Sequence, residues 1–415
     1  MTLAWISVGA LIIAVTLSCV TSVNVGVVSL ALAWIVGVYL GGMSMADVLE
    51  GFPTQLFVTL AGVTLLFSMA QRNGTLERVT ERVVRLCRGH AGLLPIMFFF
   101  VAIALSSIGP GSIGSAALLA PPAMAVASRA GIPLFLMAIM VGNGALAGSL
   151  SPFAPTGVVA NGVMARIGLP GLEWQTYTNN AIAHTLVAFA GYGLFGGWRL
   201  FRTRHYTAGA EPLQQTVQAF EPRHWLTLAV IATLLAGVAG FEMQVGMMAL
   251  AAAALLSLAR VVDEKDAIRN MPWGVIFMVS GVTVLIALME KTQGLNLFTD
   301  LLVRLSTNES VTAVVAFVTG VVSVYSSTSG VVLPAFLPTV PGLIERLGDL
   351  DPLRVASAMT VGAHLVDMSP LSTTGALCLA AVPPGLDSRT LFNRLLAWGL
   401  SMTVVGAGLC WWMFG

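Results

Sequence analysis

Apolar stretches about as long as a membrane-spanning helix recur along nearly the whole chain, and they constrain the fold more than any other feature. A spanning helix needs about 20 predominantly apolar residues. Of the 415 residues, 57% are hydrophobic and only 9% are charged, whereas soluble domains carry about 25% charged residues. The sequence therefore predicts an all-α polytopic membrane protein. Its net charge of +1 offers no basic surface for nucleic acid.

The chain also repeats itself. A shift of 219 positions lays GVTLLFSMAQRNGTLERVTERVVRL (62–86) over GVTVLIALMEKTQGLNLFTDLLVRL (281–305), with nine of 25 residues identical. Shared apolar composition alone does not align glycine and polar residues in this way, so the pattern indicates a duplication. We predict one repeat at 1–200 and a second at 223–415, joined by a polar linker at 201–222.

Each repeat is predicted to contain five spans and one re-entrant hairpin, which gives about ten spans in total. The hairpins are placed at 93–131 and 310–347, because short apolar arms flank a tip rich in turn residues. The fourth span of each repeat is a broken helix, at 132–165 and at 352–382. The other predicted spans lie at 3–20, 23–41, 53–71, 178–198, 225–240, 243–260, 272–290 and 390–413, and the amphipathic stretches 75–88 and 294–305 are predicted to lie along the membrane interface.

The distribution of basic residues predicts the orientation of these spans. An odd number of spans per repeat means that the two repeats are inverted relative to one another in the membrane. With this arrangement, 15 of the 20 Lys and Arg residues fall on one face and five on the other. Because cytoplasmic loops are enriched in Lys and Arg, we expect a plasma (inner) membrane protein with the linker 201–222 in the cytoplasm and both termini outside.

Four segments interrupt this apolar pattern with Pro, Gly and hydroxyl residues. Two are the hairpin tips, SSIGPGS (106–112) and YSSTSG (325–330), and two are the helix breaks, SPFAPTG (151–157) and SPLSTTG (369–375). Irregular backbone at membrane depth is tolerated only where it is buried in protein or lines a cavity. Interruptions at matching positions of two repeats are a sequence sign of a transporter's binding site.

We predict that these segments bind an anion and a cation. Uncapped helix N-termini and hydroxyl groups suit an anion, whereas unwound carbonyls with hydroxyls suit a hard cation. The predicted substrate-binding residues are Ser112, Ser151, Pro152, Thr156, Thr328, Ser329, Ser369, Pro370, Thr373 and Thr374. The predicted cation-binding residues are Ser107, Gly109, Gly111, Ala154, Ser326, Ser327, Ser372 and Asp367.

Charge adds a constraint on coupling. The four segments contain no Lys or Arg, and burying an unpaired charge is very costly, so a dianionic substrate would require co-bound cations. His364 and Asp367 lie three residues apart beside the second break and share a helix face. Ionisable residues inside a membrane are functional candidates, and this pair is a possible proton relay. Sodium and proton coupling therefore both stay open.

The same segments carry a family resemblance. SSIGPGSIGSA (106–116), GNGALAGSLSPFAPTGVVAN (142–161), SSTSG (326–330) and DMSPLSTTG (367–375) resemble the ion-transporter superfamily, especially the MatC-like dicarboxylate (malonate) carriers. The superfamily's divalent-anion/sodium symporters have Ser-Asn-Thr at both tips, where this chain has Gly-Ser-Ile and Ser-Thr-Ser. The resemblance implies two inverted repeats, sodium as the coupling ion, a homodimer and an elevator motion.

The resulting functional hypothesis is elevator-type symport of a small malonate- or succinate-like dicarboxylate, with no cofactor besides sodium. A proton-coupled organic-anion carrier is an alternative, as is a cation/proton antiporter or arsenite-type permease of the same superfamily. An intramembrane hydrolase would also use Ser, His and Asp, but the chain has no GxSxG motif. We therefore expect no enzymatic activity.

Overall fold

The computed structural model describes residues 2–21, 23–86, 91–201, 219–241, 243–348, 350–383 and 385–415. All regular structure in these ranges is helical, so the all-α prediction is confirmed. Most of the predicted linker, positions 202–218, lies outside the described residues.

The described residues up to position 201 form ten α-helices. They are α1 (Thr2–Val20), α2 (Val25–Trp34), α3 (Met45–Leu49), α4 (Thr54–Arg72), α5 (Thr75–Leu86), α6 (Leu93–Ile108), α7 (Gly111–Ala130), α8 (Leu134–Gly148), α9 (Pro155–Arg166) and α10 (Glu173–Leu194). A π-helical segment, Ile35–Leu40, continues α2, and a short 3₁₀ helix, Gly197–Phe201, follows α10.

The second part repeats this order of elements. Its helices are α11 (Pro222–Phe241), α12 (Val245–Leu258), α13 (Glu264–Arg269), α14 (Trp273–Lys291), α15 (Gly294–Arg304), α16 (Val311–Tyr325), α17 (Leu333–Phe336), α18 (Val340–Leu347), α19 (Pro352–Leu365), α20 (Thr373–Ala380) and α21 (Ser388–Phe414). The counterpart of α7 is divided among the π-helical turn Thr328–Val332, α17, the 3₁₀ turn Leu337–Thr339 and α18. A 3₁₀ turn, Val366–Met368, follows α19.

Packing divides the helices into two groups, and each group draws on both parts of the chain. We call the first group, α1–α5 with α11–α15, the frame; in it α4 packs on α12, α14 packs on α2, and α1 packs on α15. We call the second group, α6–α10 with α16–α21, the hairpin unit. In it α6 packs on α8, α16 packs on α19, and α20 packs on α7. The two sequence repeats are thus interleaved rather than folded side by side.

Two glycine-lined helix crossings hold the frame together. A Cβ atom on Gly26 of α2 would lie 2.1 Å from a carbonyl oxygen of α14, and one on Gly281 of α14 would lie 2.0 Å from the Gly26 carbonyl. The second crossing joins the equivalent helices with the repeats exchanged, α4 of the first repeat and α12 of the second. A Cβ on Gly62 of α4 would lie 2.5 Å from the carbonyl of Gly246 on α12. Backbones approach this closely only where no side chain intervenes, as in membrane helix pairs built on small residues.

Matching ion pairs join the same elements at the helix ends. Arg72 at the end of α4 pairs with Asp266 of α13. Lys291, at the end of α14, pairs with Glu50 beside α3 at 2.7 Å, and its ammonium group also donates to the Asp47 carbonyl at 2.8 Å. The end of α4 in the first repeat thus contacts α13 of the second repeat, and the end of α14 in the second repeat contacts the residues beside α3 of the first in the same way.

Among the described residues, five helical segments are long and apolar enough to span a membrane. They are Thr54–Arg72, Gly111–Ala130, Trp273–Lys291, Thr328–Leu347 and Ser388–Phe414. Two of the five are the return limbs of the predicted hairpins, so these limbs are longer than the short arms that the sequence suggested. The count of about ten spans, the re-entrant path, the inversion and the cytoplasmic linker stay predictions.

Candidate functional site

The hairpin tips and helix breaks of both repeats meet at one cavity of about 230 Å³. Its wall includes Ser112 from the first tip, Thr156 from the first broken helix, and Thr328 from the second tip. Eleven of the predicted site residues line it: Ser112, Thr156, Ser326, Ser327, Thr328, Ser329, His364, Asp367, Ser372, Thr373 and Thr374. Residues that are far apart in the sequence are therefore assembled into one polar space.

Both helix breaks have the same backbone turn. In the first, the Ala154 N–H donates to the Ser151 carbonyl at 2.9 Å; in the second, the Ser372 N–H donates to the Ser369 carbonyl at 3.0 Å. A glycine then passes close to the same carbonyl, because a Cβ on Gly157 would lie 2.0 Å from the Ser151 oxygen. The second break repeats this, with a Cβ on Gly375 2.1 Å from the Ser369 oxygen. Each turn redirects the chain so that the second half-helix begins at the cavity.

Three half-helices begin at the cavity without a side-chain cap. The N-cap positions of α7, α9 and α20 make no side-chain hydrogen bond to the first turn. The first-turn N–H groups of a helix have no intrahelical partner, and the dipole places partial positive charge at that end. The fourth helical start differs, since the Ser327 hydroxyl accepts a hydrogen bond from the Gly330 N–H at 3.1 Å. These starts can therefore donate to a negatively charged group, but α9 offers fewer donors, because Pro155 has no N–H and the Gly157 N–H donates to the Ser149 carbonyl at 3.0 Å.

Asp367 is hydrogen-bonded to the second tip. The Thr328 hydroxyl lies 2.9 Å from Oδ1 and 2.8 Å from Oδ2 of this carboxylate, and it also bonds with the Ser323 hydroxyl. A threonine has one O–H donor, so Thr328 cannot donate to Asp367 and to a substrate at the same time. The Ser372 hydroxyl donates to the Asp367 carbonyl at 2.8 Å, which ties the break to this group.

The first repeat lacks such a carboxylate at its tip. Here the Ser151 hydroxyl donates to the Ser107 carbonyl at 2.7 Å, and the Ser107 hydroxyl bonds with the Tyr177 hydroxyl at 2.9 Å. At a shift of 218 positions Asp367 corresponds to Ser149, whose hydroxyl donates to the Leu146 carbonyl. The first tip therefore offers only hydroxyl and backbone oxygens.

Eight of the predicted residues do not line this cavity. They are Ser107, Gly109, Gly111, Ser151, Pro152, Ala154, Ser369 and Pro370. Gly109 and Gly111 instead line a neighbouring cavity of about 220 Å³, which shares Ser112 and Thr156 with the first. Ser151 and Ser369 are buried behind the site, where they shape the breaks.

Sequence reasoning missed other members of the site. Ile113, Tyr325 and Leu371 line the cavity, and Ser323 bonds to Thr328 within the second hairpin. Their positions next to the Ser- and Thr-rich segments were the available signal for Tyr325 and Leu371. Ser323 lies inside a regular apolar helix, so no local pattern distinguished it.

Known proteins resemble the chain in sequence and in fold. Residues 1–149 match the family model described as the N-terminus of the dicarboxylate carrier protein MatC. The crystal structure of the YdaH transporter of Alcanivorax borkumensis, described as having an unusual topology, is similar with a TM-score of 0.59. The sequence identity is 18%, and the similarity covers 90% of this chain and 88% of that chain. No curated protein matches the chain.

The likeness to YdaH shows the fold, whereas the family model shows a sequence similarity over about the first third of the chain. Together they support a multi-pass membrane transporter. Residues 1–149 are similar to the N-terminal region of dicarboxylate carriers of the MatC type, as the resemblance predicted, and both the matched family and the structural neighbour are transporters rather than enzymes.

Proposed function

We propose that this protein is a secondary active transporter that takes up a small malonate- or succinate-like dicarboxylate together with a cation, most simply sodium. The observation that carries the proposal is the cavity where both tips and both broken helices meet. It combines uncapped helix N-termini with hydroxyl groups, as expected for carboxylate recognition. The match of residues 1–149 to a dicarboxylate carrier family supports the substrate class.

The charges around the cavity support coupling to a cation. The described wall includes Asp367 but no Lys or Arg. A dicarboxylate would therefore enter a space that already holds an acidic side chain and no basic one. Because burying uncompensated charge is costly, a co-bound cation lowers the free energy of the loaded state. The loaded cavity therefore requires a positive charge, which favours symport of the anion with a cation over transport of the anion alone.

The donor atoms near both tips fit a hard cation such as sodium. Among the described residues no group of three or more His, Cys, Asp and Glu side chains is placed to hold a metal ion, so carbonyl and hydroxyl oxygens must supply most ligands. In the second repeat these would come from Ser326, Ser327 and Ser372, with the Asp367 carboxylate. In the first repeat they would come from Ser107, Gly109, Gly111 and Ala154.

The packing supports an elevator-type motion. The most extensive helix contacts lie within the frame and within the hairpin unit, and the two groups meet where α4 contacts α9, α14 contacts the turn Thr328–Val332 and α17, and α15 contacts α18. Movement of the hairpin unit along the frame would carry the cavity with it. We propose this motion within a homodimer in the inner membrane, with both termini outside.

Counterflow of labelled malonate in proteoliposomes tests the function. Purified protein should exchange internal malonate for labelled external malonate, and sodium at fixed pH should increase malonate affinity. Malonate should increase sodium affinity by the same factor, because coupling between two bound ligands is reciprocal. Absence of exchange with both malonate and succinate would contradict the proposal.

Proton coupling is the second candidate, and one observation favours it. Asp367 and His364 both line the cavity, so a proton could replace sodium as the neutralising charge. Full uptake in sodium-free buffer, driven by a pH gradient alone, would select this mechanism. Exchange of cations or arsenite without any carboxylate would select the antiporter or permease alternatives.

A further inference from the structure

The substrate cavity contains a hydrogen-bond acceptor that a simple dicarboxylate does not satisfy. We propose that this transporter prefers a hydroxydicarboxylate, whose hydroxyl donates to Nε2 of His364 while its carboxylates occupy the uncapped helix N-termini. This inference rests on the proposed function and narrows its substrate class. It assigns His364 as the specificity-determining residue.

The hydrogen bonding of His364 fixes which ring nitrogen is free. Its Nδ1 lies 2.8 Å from the Thr360 carbonyl oxygen. A carbonyl oxygen only accepts hydrogen bonds, so Nδ1 carries the proton and donates. In a neutral imidazole the other nitrogen, Nε2, is then an unprotonated acceptor. The ring lines the cavity, and among the described residues its side-chain hydrogen bond is made by Nδ1, so Nε2 has no described hydrogen-bond partner.

Burial keeps this imidazole neutral. The side chain is only 1% exposed, and the described ion pairs do not include it. A buried charge without a partner is very costly. The ring therefore presents a lone pair to the ligand rather than a positive charge, and a carboxylate placed against it would be repelled.

The cavity wall combines hydroxyl groups, which can donate, with two side chains that only accept, the neutral imidazole of His364 through Nε2 and the carboxylate of Asp367. The hydroxyls of Ser112 and Thr156 lie beside the starts of α7 and α9, and Thr374 lies in the first turn of α20. These groups can donate to two carboxylates. The acceptors, His364 and Asp367, share one helix face because they are three residues apart. Since Thr328 already donates to Asp367, His364 is the acceptor that lacks a donor.

A ligand without a donor leaves this buried acceptor unsatisfied, and such groups lower affinity measurably. Sites built to hydrogen-bond a substrate hydroxyl discriminate strongly against analogues that lack it. A ligand with two carboxylates and one hydroxyl would therefore match the donor groups and the free acceptor of the cavity wall. A methyl group in place of the hydroxyl would fill the same space without donating.

Competition between malonate and two of its 2-substituted derivatives tests this inference in the wild-type protein. Tartronate carries a hydroxyl where methylmalonate carries a methyl group, and malonate carries neither. Tartronate should inhibit labelled malonate exchange at a concentration about tenfold lower than methylmalonate does. Equal inhibition by the two, with malonate still exchanged, would overturn the inference and leave the proposed function intact. Failure of all three acids and of succinate to bind would instead overturn the proposed function.

Variants of His364 assign the preference to this residue. His364→Leu should reduce the tartronate preference to less than about twofold, whereas His364→Gln, which keeps a side-chain acceptor, should retain part of it. His224→Gln serves as the control, because His224 is also fully buried but bonds to the Asn73 carbonyl away from the cavity. A preference that survives in His364→Leu, or that is lost in the His224 control as well, would contradict the assignment. Binding to detergent-purified protein, followed as a ligand-induced shift in melting temperature, gives a readout that does not depend on transport.

Discussion

The two helix breaks have the same backbone but different chemistry. In both, a serine carbonyl accepts a hydrogen bond from the N–H three residues later, and a glycine passes within van der Waals distance of that carbonyl. The second break, however, is preceded by His364 and Asp367, where the first has Leu146 and Ser149. The two breaks thus share the backbone geometry that directs the helix ends to the cavity but differ in the side chains beside them.

This difference separates two roles within one site. The backbone turns position the uncapped starts of α9 and α20, and this role requires glycine at two equivalent positions. Among the described residues that line the cavity, the ionisable side chains come from the second repeat, so in the proposed mechanism coupling and selectivity should depend mainly on that half. Variants at equivalent positions should therefore have equal effects where the backbone acts and unequal effects where side chains act.

The largest effects are expected at the glycines of the breaks. Gly157→Ala and Gly375→Ala each place a Cβ about 2 Å from a backbone carbonyl oxygen, so the turn must shift. We expect each variant to lose about 1–3 kcal/mol of unfolding free energy and at least about tenfold in exchange rate, because a misplaced helix end no longer faces the substrate. Thermal unfolding in detergent and malonate counterflow measure the two quantities.

Gly408→Ala is the matched control for these substitutions. A Cβ on Gly408 of α21 would meet no atom within 4 Å, and alanine is the better helix former. This variant should be at least as stable as the wild type and should transport normally. If Gly157→Ala tolerates the change as Gly408→Ala does, the shared backbone turn is not needed for function.

A smaller and unequal effect is expected at the two side chains that form hydrogen bonds to the hairpin tips. Asp367→Asn removes the carboxylate that accepts from Thr328, and it should lower the sodium stimulation of uptake by about tenfold, because a cation loses a charged ligand. Ser151→Ala removes one neutral hydrogen bond to the Ser107 carbonyl and should change sodium stimulation by only about threefold to fivefold. Sodium titrations of malonate uptake at fixed pH compare them.

Equal sodium responses of Asp367→Asn and Ser151→Ala would contradict the division of roles between the repeats. An unchanged sodium response in Asp367→Asn, together with a changed pH response, would transfer the role of Asp367 to proton coupling.

The smallest effects are expected at the mirrored ion pairs of the frame. Arg72→Met and Lys291→Met each remove one pair, with Asp266 and Glu50 respectively. All four side chains are substantially exposed, and such pairs contribute about 0–1 kcal/mol. Both variants should unfold within about 1 kcal/mol of the wild type and should transport normally. A double-mutant cycle with Asp266→Asn measures the Arg72 pair, and a coupling energy well above that range would show that the frame depends on it.

Much of the helical framework follows from local sequence signals. The predicted hairpin at 93–131 corresponds to α6 and α7, and the predicted broken helix at 352–382 corresponds to α19 and α20. Apolar length, Pro and Gly report directly on where a membrane helix begins and breaks, because backbone hydrogen bonds must be satisfied within the segment. The same signals marked Ser112, Thr156 and Thr374 as residues at helix starts.

Tertiary structure decided which of these residues face one another. The bond between Thr328 and Asp367 joins residues 39 positions apart, and it turns a predicted substrate donor into a partner of the carboxylate. The packing of α2 on α14 and of α4 on α12 could not be predicted from a periodic sequence pattern. Only the four glycines at the two crossings mark these contacts in the sequence. A local sequence pattern indicates where one segment forms or breaks a helix. The hydrogen-bond partner of a hydroxyl and the unpaired nitrogen of His364 depend instead on atoms that only tertiary packing brings within hydrogen-bond distance.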